Sequence, residues 1–201
     1  RPAGRNAKTT PLTPILAAEG AEFTVVNGWE RMEFIKPSPD FHVTHGFHFD
    51  ESFPIVAAEI DAVQNAVGLT EVNGFNRFEI TGSDARPFVD RMFCGKITAK
   101  AGRAGLGYLL NHHGMLKGEA TIANLPASDR GGERIWYGSA AASEFHDMDW
   151  LTERLPTRSD IQITSLTNSH TVLIVAGPDA RALMDAVCPR TSFAQADFPW
   201  M

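Results

Sequence analysis

Two periodicities govern the hydrophobic and polar positions of this chain. Residues 53–66 repeat at helical spacing, with Ile55, Val56, Glu59, Ile60, Val63 and Val67 in the pattern. A stripe of that period predicts a helix, here with Ser52 as its cap and Gly68 as its stop. A shorter helix is expected before it, capped by Thr13, with Pro14 at its first position and Gly20 closing it. "DARPFVDRMF" reads as a helix capped by Ser83, where Asp84 suits the positive end of the helix dipole. "SEFHDMDWLTERL" offers Phe145, Met148, Trp150 and Leu151 to a core, and "PDARALMDAVC" is a helix started by Pro178. Strand-like segments fall between them: residues 22–26, two short strands around Asn73-Gly74, then "ERIWYGS", "DIQITSL" and "HTVLIVAG". Residues 107–110 and 115–125 form a hairpin turned by Asn111-His112-His113-Gly114. Antiparallel strands with interspersed helices give an α+β fold, mainly antiparallel sheet with packed helices, and not a doubly wound sheet.

Composition narrows the function more than the fold. A chain of 201 residues fits one large domain, or one domain with a substantial attachment. Its 43% hydrophobic and 21% charged residues suffice for a real core. A net charge of −6 argues against nucleic acid or an anionic membrane as partner. No apolar run is long enough to span a bilayer, and no signal pattern opens the sequence. Cys94 and Cys188 stand far apart, so neither a disulfide framework nor a cysteine zinc site is expected, and a reducing compartment is the default. The chain opens without methionine and stops on "DFPWM", which suggests an excised fragment.

Several clusters invite chemistry. "HVTHGFH" spaces His42, His45 and His48 three apart beside Asp50 and Glu51, but among prolines and without helical zinc spacing, so a loop is the expected reading and no metal is assigned. The glycines of "GRAGLG", near Lys96, Lys100 and Arg103, lead into a strand, whereas a phosphate cradle leads into a helix. His112 and His113 are expected to be exposed at a turn, Trp29 to anchor packing beside a local Glu30–Arg31 ion pair, and Cys94 to be a small buried residue. Glu119 is the odd residue, an acid inside a strand. Alternation sets Lys117, Glu119, Thr121 and Ala123 on one face, and Leu116, Gly118, Ala120 and Ile122 on the other. A solvated face with Lys117 as neighbour and a pocket face both fit this pattern. Gly118 adds a hint of close approach by a ligand or another backbone.

The run "NGWERMEFIKP", "AAEIDAVQNAVGLTEVNGFNRFEITGSDARPFVDRMF", "LLNHHGMLKGEATIANL", "HDMDWL" and "VLIVAGPDARALM", in that order, resembles the dimethylglycine and sarcosine dehydrogenase family. More widely it resembles the aminomethyltransferase domain of the glycine-cleavage T-protein. The resemblance implies a connector over residues 1–52, following an FAD oxidoreductase domain outside this chain. Residues 53–201 would then be a folate-binding aminomethyltransferase domain whose C-terminal part also lies outside. It implies oxidation of a small N-methylated amine on FAD elsewhere in the same polypeptide, with tetrahydrofolate taking up the one-carbon unit. Aligned through Asn111, Gly114 and Thr121, the family's catalytic acid falls on Glu119, where Asp is usual. Leu106 stands where the family tends to have Tyr, and Tyr108 is the nearest aromatic. Phe75, and Trp136 or Gly138, correspond to positions lining the pterin. A bacterial cytoplasmic location, or the mitochondrial matrix in a eukaryote, goes with the resemblance, as does the absence of nucleic-acid and membrane partners. The two substitutions keep a second function open: a folate-fold binding or docking domain without carbon transfer.

Overall fold

The structure, a computed structural model, describes residues 4–44, 46–127 and 132–198. In chain order the elements are α1 (Thr13–Ala18), β1 (Ala21–Val26), β2 (Trp29–Ile35), α2 (Phe53–Asn65), β3 (Gly68–Val72), β4 (Phe78–Gly82), α3 (Ala85–Met92) and β5 (Phe93–Cys94). They continue through β6 (Arg103–Leu110), β7 (Leu116–Leu125), β8 (Glu133–Gly138), a 3-10 turn (Ala141–Ser143), α4 (Glu144–Thr152), β9 (Gln162–Ser165), β10 (Val172–Ala176) and α5 (Ala180–Val187). The α+β class with antiparallel pairing is as the sequence predicts. The chain folds into two compact units that interleave in sequence. One holds residues 1–11, 27–29 and 73–171, the other residues 12–26, 30–72 and 172–201.

The first unit is a six-stranded antiparallel sheet in the order β5-β6-β7-β8-β4-β9. Alternation turns Phe78 and Ile80 of β4, Ala120 and Ile122 of β7, and Ile135 and Tyr137 of β8 to one face. Ala85, Phe88 and Val89 of α3 and Leu151 of α4 complete that core. Each fully buried side chain of this size contributes about 1.5–3 kcal/mol. Phe78 and Tyr137 stack with ring centroids 5.4 Å apart. Gly107 is required by packing, because a Cβ there would come within 3.0 to 3.2 Å of Phe93, Ile122 and Ile97. Of "GRAGLG", residues 103–107 lie in β6 and Gly102 in the turn before it. The hairpin tip forms as read: Asn111 Oδ1 accepts the amides of His113 and Met115 at 2.9 and 3.0 Å, and both histidines are exposed.

The second unit contains β1, β2 from Glu30 onward, the two-stranded β3–β10 sheet and helices α1, α2 and α5. Neither α2 nor α5 buries a single residue. The stripe of Val56, Ile60 and Val63 lies open along α2, beside exposed Leu69 and Ile174 of the small sheet.

Several local expectations are corrected. Thr13 is the first residue of α1 and no cap, and Leu12 occupies the cap position. Ser52 precedes α2, but its hydroxyl is held by Asp50 Oδ1 and caps nothing. Ser83 does not cap α3 through its side chain; the Asp160 carboxylate accepts the amides of Ser83 and Asp84 at 2.7 and 3.2 Å. Those amides hold the Asp160 carboxyl below its ordinary pKa. Cys94 is exposed, because strand alternation gives the core to Phe93 instead. Phe145 is 74% exposed, while Leu151 is buried and Met148 and Trp150 pack beside the core. Trp29 is buried as an anchor; Glu30 beside it is buried too, and Arg31 is exposed on the alternate side of β2.

Candidate functional site

One face of the six-stranded sheet packs on α3 and α4, and the other carries the candidate residues. Glu119 lies directly opposite Tyr108 in the β6–β7 register, and Thr121 lies opposite Leu106. On the far side of β7, Thr121 faces Gly138 and Ala123 faces Trp136. Residues directly opposite one another on an antiparallel pair have Cβ atoms about 4.5–5.5 Å apart. Register therefore gathers Tyr108, Leu106, Glu119, Gly138 and Trp136 on one surface, with Thr121 at its centre. Phe75 bridges Ala140 just beyond β8 and shares that face; it is 49% exposed, and Leu106 and Tyr108 are 56% and 39% exposed. Gly138 matters sterically, because a Cβ there would lie 3.2 Å from Trp136 Nε1. Its missing side chain is where the indole lies.

Electrostatics distinguish Glu119 from the other acid on this face. Glu79 is bound by Arg134, with Nη2 to Oε1 at 2.6 Å. Glu119 is exposed, and its side chain makes no hydrogen bond or ion pair among the described residues. The expected Lys117 neighbour is removed by a bulge: Leu109 pairs with Gly118 and Leu110 with Leu116, so Lys117 is the extra residue. Its Nζ lies 4.7 Å from the Trp150 ring centroid on α4. Gly118 does not mark a close approach. A Cβ there would meet only Leu109 and Asp147, at 3.7 and 4.0 Å.

Behind the strand that carries Trp136 and Gly138 lies a buried polar network that sequence reading missed. Asp147, 2% exposed, accepts a hydrogen bond from the Tyr137 hydroxyl at 2.6 Å and another from Ser139 Oγ. Its second oxygen meets His146 Nδ1 at 2.9 Å. Burial and the neighbouring Asp147 carboxylate push the Tyr137 phenol well above its ordinary pKa, so it stays a donor. Asp147 lies within "HDMDWL", which reads as helix without assigning this acid a place. Among the described residues no group of histidines, cysteines and acids could hold a metal, and His45 lies outside them.

The GCVT N-terminal domain family model matches residues 12–201. The chain belongs to that family. Human mitochondrial dimethylglycine dehydrogenase is 30% identical over 159 residues, covering 78% of this chain and 18% of that protein. Sarcosine oxidase subunit alpha of Corynebacterium sp. (strain U-96) is 29% identical over 199 residues, covering 97% of the chain and 19% of the relative. The mouse mitochondrial pyruvate dehydrogenase phosphatase regulatory subunit is 28% identical over 183 residues, covering 88% and 20%. The chain thus spans about a fifth of the length of these relatives. The glycine cleavage system aminomethyltransferase T of Bartonella henselae shares the fold, with a TM-score of 0.67 at 20% identity over 90% of this chain and 43% of that one. This GCVT domain is therefore aminomethyltransferase-like and related to the sarcosine and dimethylglycine oxidoreductases. Among its described residues no helix is long and apolar enough to cross a membrane.

Proposed function

We propose that this GCVT domain serves one-carbon transfer to tetrahydrofolate, within an FAD-dependent oxidoreductase acting on a small N-methylated amine. The observation that supports it is the Glu119 carboxylate, without a partner among the described residues, on the open sheet face that exposed Tyr108, Leu106 and Phe75 share. Such a surface fits a planar nitrogen heterocycle: apolar and aromatic side chains cover its plane, and one acid meets its nitrogens. Tetrahydrofolate would supply the nitrogen that accepts the carbon, and FAD would belong to residues outside this chain. Glu119 would hold or release a proton at the reacting nitrogen and oppose developing positive charge there. Tyr108 and Leu106 would position the ring, while Trp136 and Phe75 would border it. Residues 1–52 would act as the connector to the flavin domain, and the protein would work in a bacterial cytoplasm or a mitochondrial matrix.

The test is methylene-tetrahydrofolate formation by the full-length protein, unmodified and as Glu119→Gln. The expected result is transfer by the first and a loss of about a hundredfold or more in the second, with tetrahydrofolate binding largely retained. Unchanged transfer would remove Glu119 from the mechanism. A second reading, binding or docking without transfer, draws support from the relative named as a phosphatase regulatory subunit. Tetrahydrofolate binding by a protein that produces no methylene-tetrahydrofolate would favour it.

A further inference from the structure

The buried carboxylate behind the sheet connects to the candidate face by an unbroken chain of hydrogen bonds. Ser139 Oγ donates to Asp147 Oδ2 and accepts Asn76 Nδ2–H at 2.7 Å. Asn76 Oδ1 in turn accepts the Ser139 amide at 2.9 Å, and the Asn76 amide donates to the Ser139 carbonyl at 2.8 Å. One step further, the Ala141 amide donates to the Gly74 carbonyl at 3.0 Å. The segment around Phe75 is thereby stapled to the end of β8. Its ring projects on the open face while Asn76 turns inward, fully buried. Beyond the β4–β8 pairing, which begins at Phe78 opposite Tyr137, the two backbone bonds from the Asn76 and Ala141 amides form a single antiparallel bridge between Phe75 and Ala140. The Asn76 and Ser139 side chains reinforce that bridge.

Asp147 organises that staple. A buried carboxylate can only accept, so it fixes the Ser139 hydroxyl as a donor toward itself. The remaining lone pairs of Ser139 Oγ then face Asn76, which fixes the Asn76 amide with nitrogen toward Ser139 and oxygen toward the backbone. Replacing Asp147 with an apolar residue releases the hydroxyl to rotate and leaves buried polar groups in competition. We propose that Asp147 is a positioning residue of the ligand face, ordering Phe75 and the Gly138 end of β8 through Ser139 and Asn76. The ligand part rests on the tetrahydrofolate reading given above; the ordering part does not.

The experiment uses the full-length protein with Ser139→Ala, Asp147→Ala and, as a core control away from the network, Ile80→Val. Two quantities are read: hydrogen exchange of the Asn76, Ser139 and Ala141 amides, and tetrahydrofolate affinity with the KM and kcat of transfer. Ser139→Ala is expected to speed exchange at those amides and weaken tetrahydrofolate binding by about tenfold. KM should rise while kcat at saturation stays within about twofold, the signature of lost positioning in the bound state. Asp147→Ala should act in the same direction and more strongly. Ile80→Val should lower the unfolding temperature and leave exchange and affinity unchanged. Unaltered exchange at the three amides in Ser139→Ala overturns the ordering role. Altered exchange with unaltered affinity overturns the link to the ligand. An equal loss of affinity in Ile80→Val reduces the effect to general stability and overturns the proposal. Absence of tetrahydrofolate binding in the unmodified protein overturns the proposed function and the ligand part with it, while the exchange data still decide the ordering.

Discussion

The two units of this chain use similar residues to opposite effect. In the first, alternating strands and the helices α3 and α4 close a contiguous core from Phe78 to Ile161. In the second, α2 and α5 bury no residue, and Val56, Ile60, Val63, Leu69 and Ile174 stay exposed around a groove of ≈ 580 Å³. A two-stranded sheet is marginal on its own in water, whereas six strands with a covered face are not. Periodicity thus decides the kind of element, and burial against a partner decides how much that element contributes to stability.

The contrast is broken or upheld first by core truncation in the 201-residue chain. Leu151→Ala, at a fully buried site of the first unit, should cost about 2–5 kcal/mol in denaturant unfolding. Val63→Ala, on the open stripe of α2, should cost under about 1 kcal/mol. Equal costs would mean that the second unit is as well packed as the first. A smaller effect sharpens the comparison through the helix starts. In the second unit, α2 begins beside its own neighbour Asp50, which holds Ser52 two residues away. In the first, α3 begins on Asp160, 77 residues from Ser83. The folded-state pKa of Asp160 is depressed by the Ser83 and Asp84 amides. Its stabilisation is therefore present above the unfolded value of about 3.9 and is lost as pH falls through the lower folded value. The difference in Tm between the unmodified chain and Asp160→Asn should accordingly be seen at neutral pH and shrink in acid. A difference that does not vary with pH would show that the charge of Asp160 is not what caps α3.

Element types were readable from spacing because each period reports a local geometry. Long-range pairing was not. The Asn27-Gly28 dipeptide adopts φ of 53° and 84° between β1 and β2, as a tight hairpin turn requires. The same dipeptide at Asn73-Gly74 makes no hairpin: β3 pairs with β10, and β4 with β8 and β9. Composition around the two is alike, and only the distant partners differ. Capping of α3 failed for the same reason, since Ser83 is a plausible cap until the distant Asp160 takes its place; at α2 a local contact was missed, the hold of Asp50 on the Ser52 hydroxyl. Cys94 and Phe145 were assigned to the core on type, and register put both outside. At the candidate site, alternation correctly set Glu119, Thr121 and Ala123 together, but it could not foresee the bulge that carries Lys117 away to Trp150. The membership of Phe75, Trp136 and Gly138 in the same face was suggested by resemblance, and only the β7–β8 register and the Phe75–Ala140 bridge supply a physical reason. Asp147 was invisible because a buried acid on a helix has no local signature.

The central claim is that the open sheet face around Thr121 receives the ligand. Thr121 sits between Leu106 and Gly138, is exposed, and touches neither the core nor the Asp147 network. Phenylalanine suits a strand, so Thr121→Phe should leave folding within about 0.5 kcal/mol while filling the face. The decisive measurement is the tetrahydrofolate dissociation constant of the full-length protein with this one substitution. A rise of about tenfold or more, with unchanged thermal unfolding, is the predicted result. An unchanged dissociation constant would place the ligand elsewhere and contradict the account.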